Sequence, residues 1–150
     1  MKNPAAFLLA LALVACAGAP RPEELVRGRD LCASCRMPVS DIRFAAQITA
    51  PGELPLFFDD PGCFAEFVKS GQVKEDAAIA WVADHRTGTW VRADRAVYTR
   101  VPGLQTPMGS HLIAHADTAS RDADPLARGG TALGAADVFG GALPSGGGAR

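Results

Sequence analysis

The stretch from Ile42 to Gly71, IRFAAQITAPGELPLFFDDPGCFAEFVKSG, carries signals for two strands, a turn and a helix in close succession. Between Ile42 and Ala50 apolar residues alternate with others before a Pro-Gly pair, which predicts a half-buried strand that ends in a turn. The apolar run Leu54–Phe58 suits the partner strand. Asp60 and Pro61 are typical of a helix N-cap and first helical position, and the apolar face that follows predicts a helix up to the glycine. We therefore expect a β-hairpin followed by a helix.

The rest of the chain repeats this order with weaker signals. The apolar run from Ala77 to Ala83 predicts a central strand that completes the first unit. Strands then follow at Thr89–Val91, Arg95–Val101 and His111–Ala116, with a helix capped by Asp117 that runs to about Arg128 and a closing strand at Thr131–Leu133. The sequence thus predicts an α+β fold of two ββαβ units, at about 40–84 and 88–134, each a small sheet with one helix packed on it.

The composition and the motifs of the chain argue against two classes of protein, nucleic-acid-binding proteins and enzymes. A chain of 150 residues can bury a sizeable core, and its 15 Lys and Arg residues against 16 Asp and Glu residues give a net charge of −1. A nucleic-acid-binding domain typically shows a basic excess, so we expect no nucleic-acid partner. The chain also lacks the nucleophile elbow and the glycine-rich phosphate loops, so we do not expect an enzyme.

The N-terminus has the pattern of a secretion signal. Lys2 precedes an apolar run that is too short to span a bilayer as a helix. The run ends in Leu13-Val14-Ala15-Cys16, which resembles the lipobox of bacterial lipoproteins. We therefore expect residues 1–15 to be a lipoprotein signal peptide and Cys16 to carry a lipid that anchors the protein to a membrane outside the cytoplasm, facing the periplasm. The alternative is an ordinary secretory signal with a chance cysteine.

Two segments outside the units show little periodicity. Residues 16–30 contain prolines and mixed charges, which predicts a tether. Residues 135–150 are rich in glycine and alanine, which predicts a disordered tail. The metal-binding domain is then expected at 31–134.

The motif Cys32-Ala33-Ser34-Cys35-Arg36-Met37 carries the strongest chemical signal. Two thiols and a thioether are soft ligands, and this combination favours Cu(I) over Zn(II) or Mg(II). A covalent c-type haem is excluded because Arg36 stands where that motif needs histidine. A local disulfide or a thiol redox pair remains open as an alternative.

Further candidates lie outside this motif. Met108, in a turn-rich loop, is available as a ligand, and His111 and His115 flank the next predicted strand. Cys63 shares a helical face with phenylalanines, which favours a buried, inert thiol. His85 precedes a turn, and we expect it to be solvated.

Taken in order, these motifs resemble the NosL family, the copper-binding lipoproteins that accompany nitrous oxide reductase. The resemblance covers about residues 13–130 and rests on the lipobox, the cysteine motif, Phe57–Cys63, Trp90–Ala93 and Thr106–Ser110. It implies two ββαβ units, one Cu(I) per protein and copper delivery to the reductase with the help of a membrane transporter assembly. Arg36 stands where the family usually has glycine.

The resulting hypothesis is a Cu(I) carrier without turnover chemistry. We expect Cu(I) to be held by Cys35, Met37 and Met108, with Cys32 as the next candidate and His111 after it. The alternatives are a thiol–disulfide oxidoreductase that uses Cys32 and Cys35, a copper carrier for a different copper enzyme, or a structural lipoprotein whose cysteines pair.

Overall fold

A computed structural model describes residues 20–73, 77–144 and 146. The predicted signal peptide and Cys16 lie outside the described residues. The helices and strands are β1 Ala46–Thr49, β2 Leu56–Phe58, α1 Pro61–Lys69, β3 Ile79–Ala83, β4 Trp90–Arg92, β5 Val97–Arg100, β6 Leu112–His115, α2 Thr118–Ala123, β7 Thr131–Leu133 and α3 Ala135–Phe139. Within the described ranges, no helix has the length and apolar character needed to cross a membrane.

The strands form two antiparallel sheets, which confirms the α+β class. The first sheet has the order β2-β1-β3-β4, and the second has the order β6-β5-β7. In each sheet, the first strand of a ββαβ unit lies between the other two strands of that unit. The order β1-β2-α1-β3 is thus repeated as β5-β6-α2-β7.

The strand β4 departs from the predicted division. It was expected to begin the second unit but pairs with β3, where Trp81 lies opposite Arg92 and Val82 lies opposite Val91. The first sheet therefore has four strands, with β1 and β4 on opposite edges of β3.

Side-chain caps decide where several elements begin and end. Asp60 caps α1 as predicted, because its carboxylate accepts a hydrogen bond from the Gly62 N–H at 2.6 Å. At Ile42–Phe44 the predicted strand is wrong: Asp41 accepts a hydrogen bond from the Arg43 N–H and caps a short 3-10 turn, so the strand begins only at Ala46.

The second helix is shorter than predicted. Asp117 caps α2 by accepting a hydrogen bond from the Ser120 N–H at 2.8 Å, as expected. The helix ends at Ala123 rather than near Arg128, because Asp124 caps a separate 3-10 turn at Pro125–Ala127. A proline at the start of that turn has no N–H with which to continue the α-helical ladder.

The largest apolar cluster of the described residues contains side chains from both units. Phe139 of α3 contacts Phe64 of α1 and Tyr98 of β5, with ring centroids 5.0 and 5.3 Å apart. The prediction of a disordered tail is therefore wrong for residues 135–139, where Val138 and Phe139 are buried. The glycine-rich composition around these two side chains masked their contribution to the core.

The predicted tether also contacts the domain over part of its length. The backbone of Glu23 exchanges two hydrogen bonds with the Gln47 side chain, at 2.8 and 3.0 Å. Leu25 packs against a cluster that contains Val39 and Phe57. The Gly28 N–H donates to the Val39 carbonyl at 2.8 Å. Residues 23–28 thus lie on the domain, contrary to the prediction of a free tether.

Candidate metal centre

The cysteine motif forms a tight loop that is attached to β2. The Cys32 N–H donates to the Met37 carbonyl at 2.8 Å, and the Arg36 N–H donates back to the Cys32 carbonyl at 2.9 Å. The Ala33 N–H donates to the Phe57 carbonyl of β2 at 2.7 Å. Arg36 has a φ of 65°, in the left-handed region that favours glycine, which is the residue that the resemblance implies there. The loop therefore keeps a glycine-like turn although its residue is arginine.

The fold adds a third thiol to this loop. Cys63 lies in the first turn of α1, directly after the Asp60 cap, and Cys32 forms a bridge with Phe57 on the strand that precedes the helix. The ligand atoms of Cys32, Cys35 and Cys63 all lie within 4.8 Å of one another, and the three thiols are free. Cys32 and Cys63 are buried and Cys35 is half-buried. The three thiols lie close enough to hold one metal ion.

The three thiols have different pKa values because their surroundings differ. Burial raises the pKa of Cys32, but hydrogen bonds from the backbone of Cys35, Asp59 and Ser34 lower it more, so the net shift is downward. Burial, followed by the hydrogen bond and charge of Cys32, raises the pKa of Cys35. Burial, and then the charges of the other two thiolates, raise the pKa of Cys63. Cys32 is therefore the thiol that ionises first.

Met108 lies beside this cluster. Its N–H donates to the second carboxylate oxygen of Asp60 at 3.1 Å, which holds the Met108 loop against the start of α1. Met108 and Cys63 line the same cleft, of about 260 Å³. The side chains of Met37 and Met108 are 56% and 46% exposed. Two thioethers are thus accessible from solvent, and one of them shares a cleft with a thiol of the cluster.

His111 is directed elsewhere. It lies just before β6 with a φ of 60°, and its ring nitrogen Nδ1 is 2.7 Å from the Leu104 carbonyl. Among the described residues, neither of the groups of three donors contains His111. Its role as a metal ligand stays a prediction.

Cys63 is the site residue that sequence reasoning placed in the core. Its burial was predicted correctly, but the inference that it is inert did not consider that its neighbours would be thiols. The available signal was the order of strand, Asp60 cap and helix, which puts Cys63 at the end of the sheet where the cysteine motif also attaches.

A second group of donors was not predicted as a group, although His115 was a candidate from the sequence. His85, predicted as a solvated turn residue, is only 3% exposed, and its Nδ1 lies 2.6 Å from Oδ2 of Asp124. The Nε2 of His115 lies 3.0 Å from the same oxygen. Hydrogen bonds from these two histidines offset the effect of burial on the carboxyl group, and the pKa of Asp124 is lowered.

No protein-family model, no curated protein and no solved structure matches this chain.

Proposed function

We propose that the cluster of Cys32, Cys35 and Cys63 binds Cu(I) and that the protein is a copper carrier rather than an enzyme. The supporting observation is the mutual distance of at most 4.8 Å between the three ligand atoms. Thiolates are soft ligands that select Cu(I). The neighbouring thioethers of Met37 and Met108 are soft donors of a type that Zn(II) sites do not normally use.

The flanking methionines support release as well as binding. Met108 borders the cleft that also contains Cys63, and Met37 lies two residues after Cys35. Both side chains are about half-exposed, as ligands that take part in transfer to a partner need to be. A neutral thioether binds Cu(I) more weakly than a thiolate, which suits ligands at the exit of a carrier.

The oxidoreductase alternative is disfavoured by the arrangement of the two motif thiols. A thiol that attacks a disulfide is typically accessible and has a lowered pKa. Here the thiol with the lowered pKa, Cys32, is fully buried, while the more accessible Cys35 has a raised pKa. The accessible thiol is therefore the less reactive of the two.

The resemblance to NosL proteins extends the proposal to a client. It points to nitrous oxide reductase and its membrane transporter assembly as partners, and to a lipid anchor on Cys16 that faces the periplasm. Transfer of Cu(I) to the copper-free reductase, followed by recovery of its activity, tests this client against other copper enzymes.

An anaerobic titration of the reduced chain with Cu(I), in competition with a chromogenic chelator, tests the carrier proposal. We expect one Cu(I) per chain. Replacement of Cys35 or Cys63 by serine removes a direct ligand, so it should weaken binding by more than the roughly 10- to 100-fold that loss of an outer-shell partner costs. Ser34→Ala is the matched control within the same loop.

Two outcomes would contradict the proposal. Unchanged affinity in both cysteine variants would place the metal elsewhere. A chain that binds no Cu(I) but oxidises dithiol substrates through a Cys32–Cys35 disulfide would instead establish the oxidoreductase.

A further inference from the structure

We propose a second metal site, formed by His85, His115 and Asp124, for a divalent transition ion of borderline softness such as Zn(II). The site is separate from the three thiols and has a different chemistry, with two imidazole nitrogens and one carboxylate oxygen. Neither the sequence patterns nor the proposed copper function assigns a role to this group.

Two parts of the chain converge on this site, one with His85 and the other with His115 and Asp124. His85 follows β3, and its N–H donates to the Ala114 carbonyl of β6 at 2.8 Å, which fixes its position against the second sheet. His115 ends β6, and Asp124 separates α2 from the next 3-10 turn. The ligand atoms of the three residues lie within 4.8 Å of one another.

The spacing suits a metal shell. The two histidine nitrogens lie 2.6 and 3.0 Å from one oxygen of Asp124. With metal–ligand bonds of about 2.0–2.2 Å, neighbouring ligands around a tetrahedral ion lie about 3.3 Å apart. Small outward movements of the side chains would therefore admit an ion between the three atoms.

Burial leaves the group incompletely satisfied by hydrogen bonds alone. His85 Nε2 and His115 Nδ1 are buried and, among the described residues, have no hydrogen-bond partner. Thr99 Oγ1 is a third such atom. The two unpartnered nitrogens are the outer nitrogens of the rings, since the ion would be bound through His85 Nδ1 and His115 Nε2.

Thr99 lies on the face of the second sheet that carries His115. Val97 lies opposite His115 and Thr99 lies opposite Ile113, so the side chains of Thr99 and His115 are diagonal neighbours on one face of the sheet. A histidine that binds a metal through one nitrogen usually donates its other N–H to an acceptor. The two groups do not bond to each other in this structure, and a small rotation of the Thr99 side chain would make its hydroxyl that acceptor for His115.

The local charge also fits a divalent cation. Two neutral imidazoles and one carboxylate leave a bound divalent ion with one excess positive charge. Asp84, next to His85, is buried, and its carboxylate accepts a hydrogen bond at 2.8 Å from the N–H of Ala116, next to His115. This second carboxylate thus lies next to both histidine-bearing segments.

An ion at this position would join the two sheets. His85 follows β3 of the first sheet by two residues, while His115 ends β6 of the second. All three ligands are buried, and a fourth position around the ion would be left for a water molecule. An ion would consequently enter during folding rather than by diffusion into the folded protein.

The test uses the full-length chain with Cys32→Ser, Cys35→Ser and Cys63→Ser, which removes the thiol site. This chain is refolded from denaturant with Zn(II) or Co(II) and desalted, and the bound metal is measured by elemental mass spectrometry. We expect one ion per chain, a Co(II) spectrum without sulfur charge-transfer bands, and a rise in Tm of roughly 5–10 °C for the Zn(II) form.

Paired variants assign the ligands. Asp124→Asn should lose the ion, whereas Asp122→Asn, which changes an exposed carboxylate two residues away, should keep it. If Asp124→Asn does not fold, paramagnetic shifts of the His85 and His115 ring protons in the Co(II)-loaded parent variant decide the assignment. A folded metal-free chain after refolding, equal retention by Asp124→Asn, or unshifted histidine resonances would each overturn the second site. Since the thiols are absent, none of these results bears on the copper proposal.

Discussion

Met108 shows how a single residue can be tested apart from the fold. Its backbone is held by Asp60, but its side chain is half-exposed and lies outside the buried core. Met108→Ala should therefore weaken Cu(I) binding about tenfold, which corresponds to about 1.4 kcal/mol, because one soft ligand is lost. The free energy of unfolding should change by less than about 0.5 kcal/mol. Chelator competition and urea denaturation measure the two quantities.

Leu126→Ala is the control for Met108→Ala, because Leu126 is also apolar and 47% exposed. It should leave both copper affinity and stability unchanged. If Met108→Ala binds Cu(I) as tightly as the parent while Cys35→Ser does not, the metal belongs to the cysteine cluster alone.

Single residues were predictable where their partners are close in sequence. The spacing of Cys32 and Cys35 identified both from the sequence, since one loop holds them together. The roles of Cys63 and His85 were predicted wrongly. The sequence pattern of a buried helical face or of a turn does not change when a metal-ligating side chain from a distant part of the chain packs against it. The partner of His85 is Asp124, which lies 39 positions later in the chain. Sequence patterns over a few residues give no information about a partner at that separation.

At the scale of elements, Asp60 has two functions at once. One carboxylate oxygen caps α1 through Gly62, and the other accepts the Met108 N–H. Asp60 is fully buried, so Asp60→Ala removes two charge-assisted hydrogen bonds from the interior. We expect a loss of about 2–3 kcal/mol in urea denaturation and weaker Cu(I) binding, because the Met108 loop is released.

Asp117→Ala is the matched comparison for Asp60→Ala. Asp117 caps α2 by accepting one hydrogen bond from the Ser120 N–H. Asp117→Ala should therefore lower the free energy of unfolding by about 1 kcal/mol and leave the Cu(I) affinity unchanged. Equal losses in the two variants would show that the link to Met108 contributes nothing.

The elements themselves were predictable where a cap marks their start. Asp60 and Asp117 identified α1 and α2, since both aspartates accept backbone hydrogen bonds within three residues. The 3-10 turn at Ile42–Phe44 was not predicted because its residues alternate as those of a strand do. The turn forms there because Asp41, just before it, caps it by accepting the Arg43 N–H. β4 belongs to the first sheet because it pairs with β3. The alternation of residues within a strand does not show which strand it pairs with.

For the whole molecule, α3 is the decisive element. Phe139→Ala removes a fully buried ring that contacts Phe64 and Tyr98, and it should reduce the free energy of unfolding by about 3–5 kcal/mol. The exposed Leu54→Ala, at 87% exposure, should change it by less than about 0.5 kcal/mol. A Phe139→Ala loss no larger than that of Leu54→Ala would contradict the packing described for α3.

The repeated order of strands and helices made the α+β class predictable, because each ββαβ unit has its own turns and caps. The role of the C-terminal segment was not predictable in the same way. Val138 and Phe139 stand among small residues whose composition is typical of disorder, and their burial depends on aromatic partners far away in sequence. Long-range packing overrode local composition here.

The place of α3 after every other described helix and strand has a consequence for biosynthesis. A nascent chain is made from its N-terminus, so Phe64 and Tyr98 are synthesised before Phe139, the ring that packs on them. A chain that lacks residues 135–139 would present uncovered aromatic surface to chaperones and proteases. Burial of Phe139 therefore distinguishes a chain that contains α3 from one that lacks it.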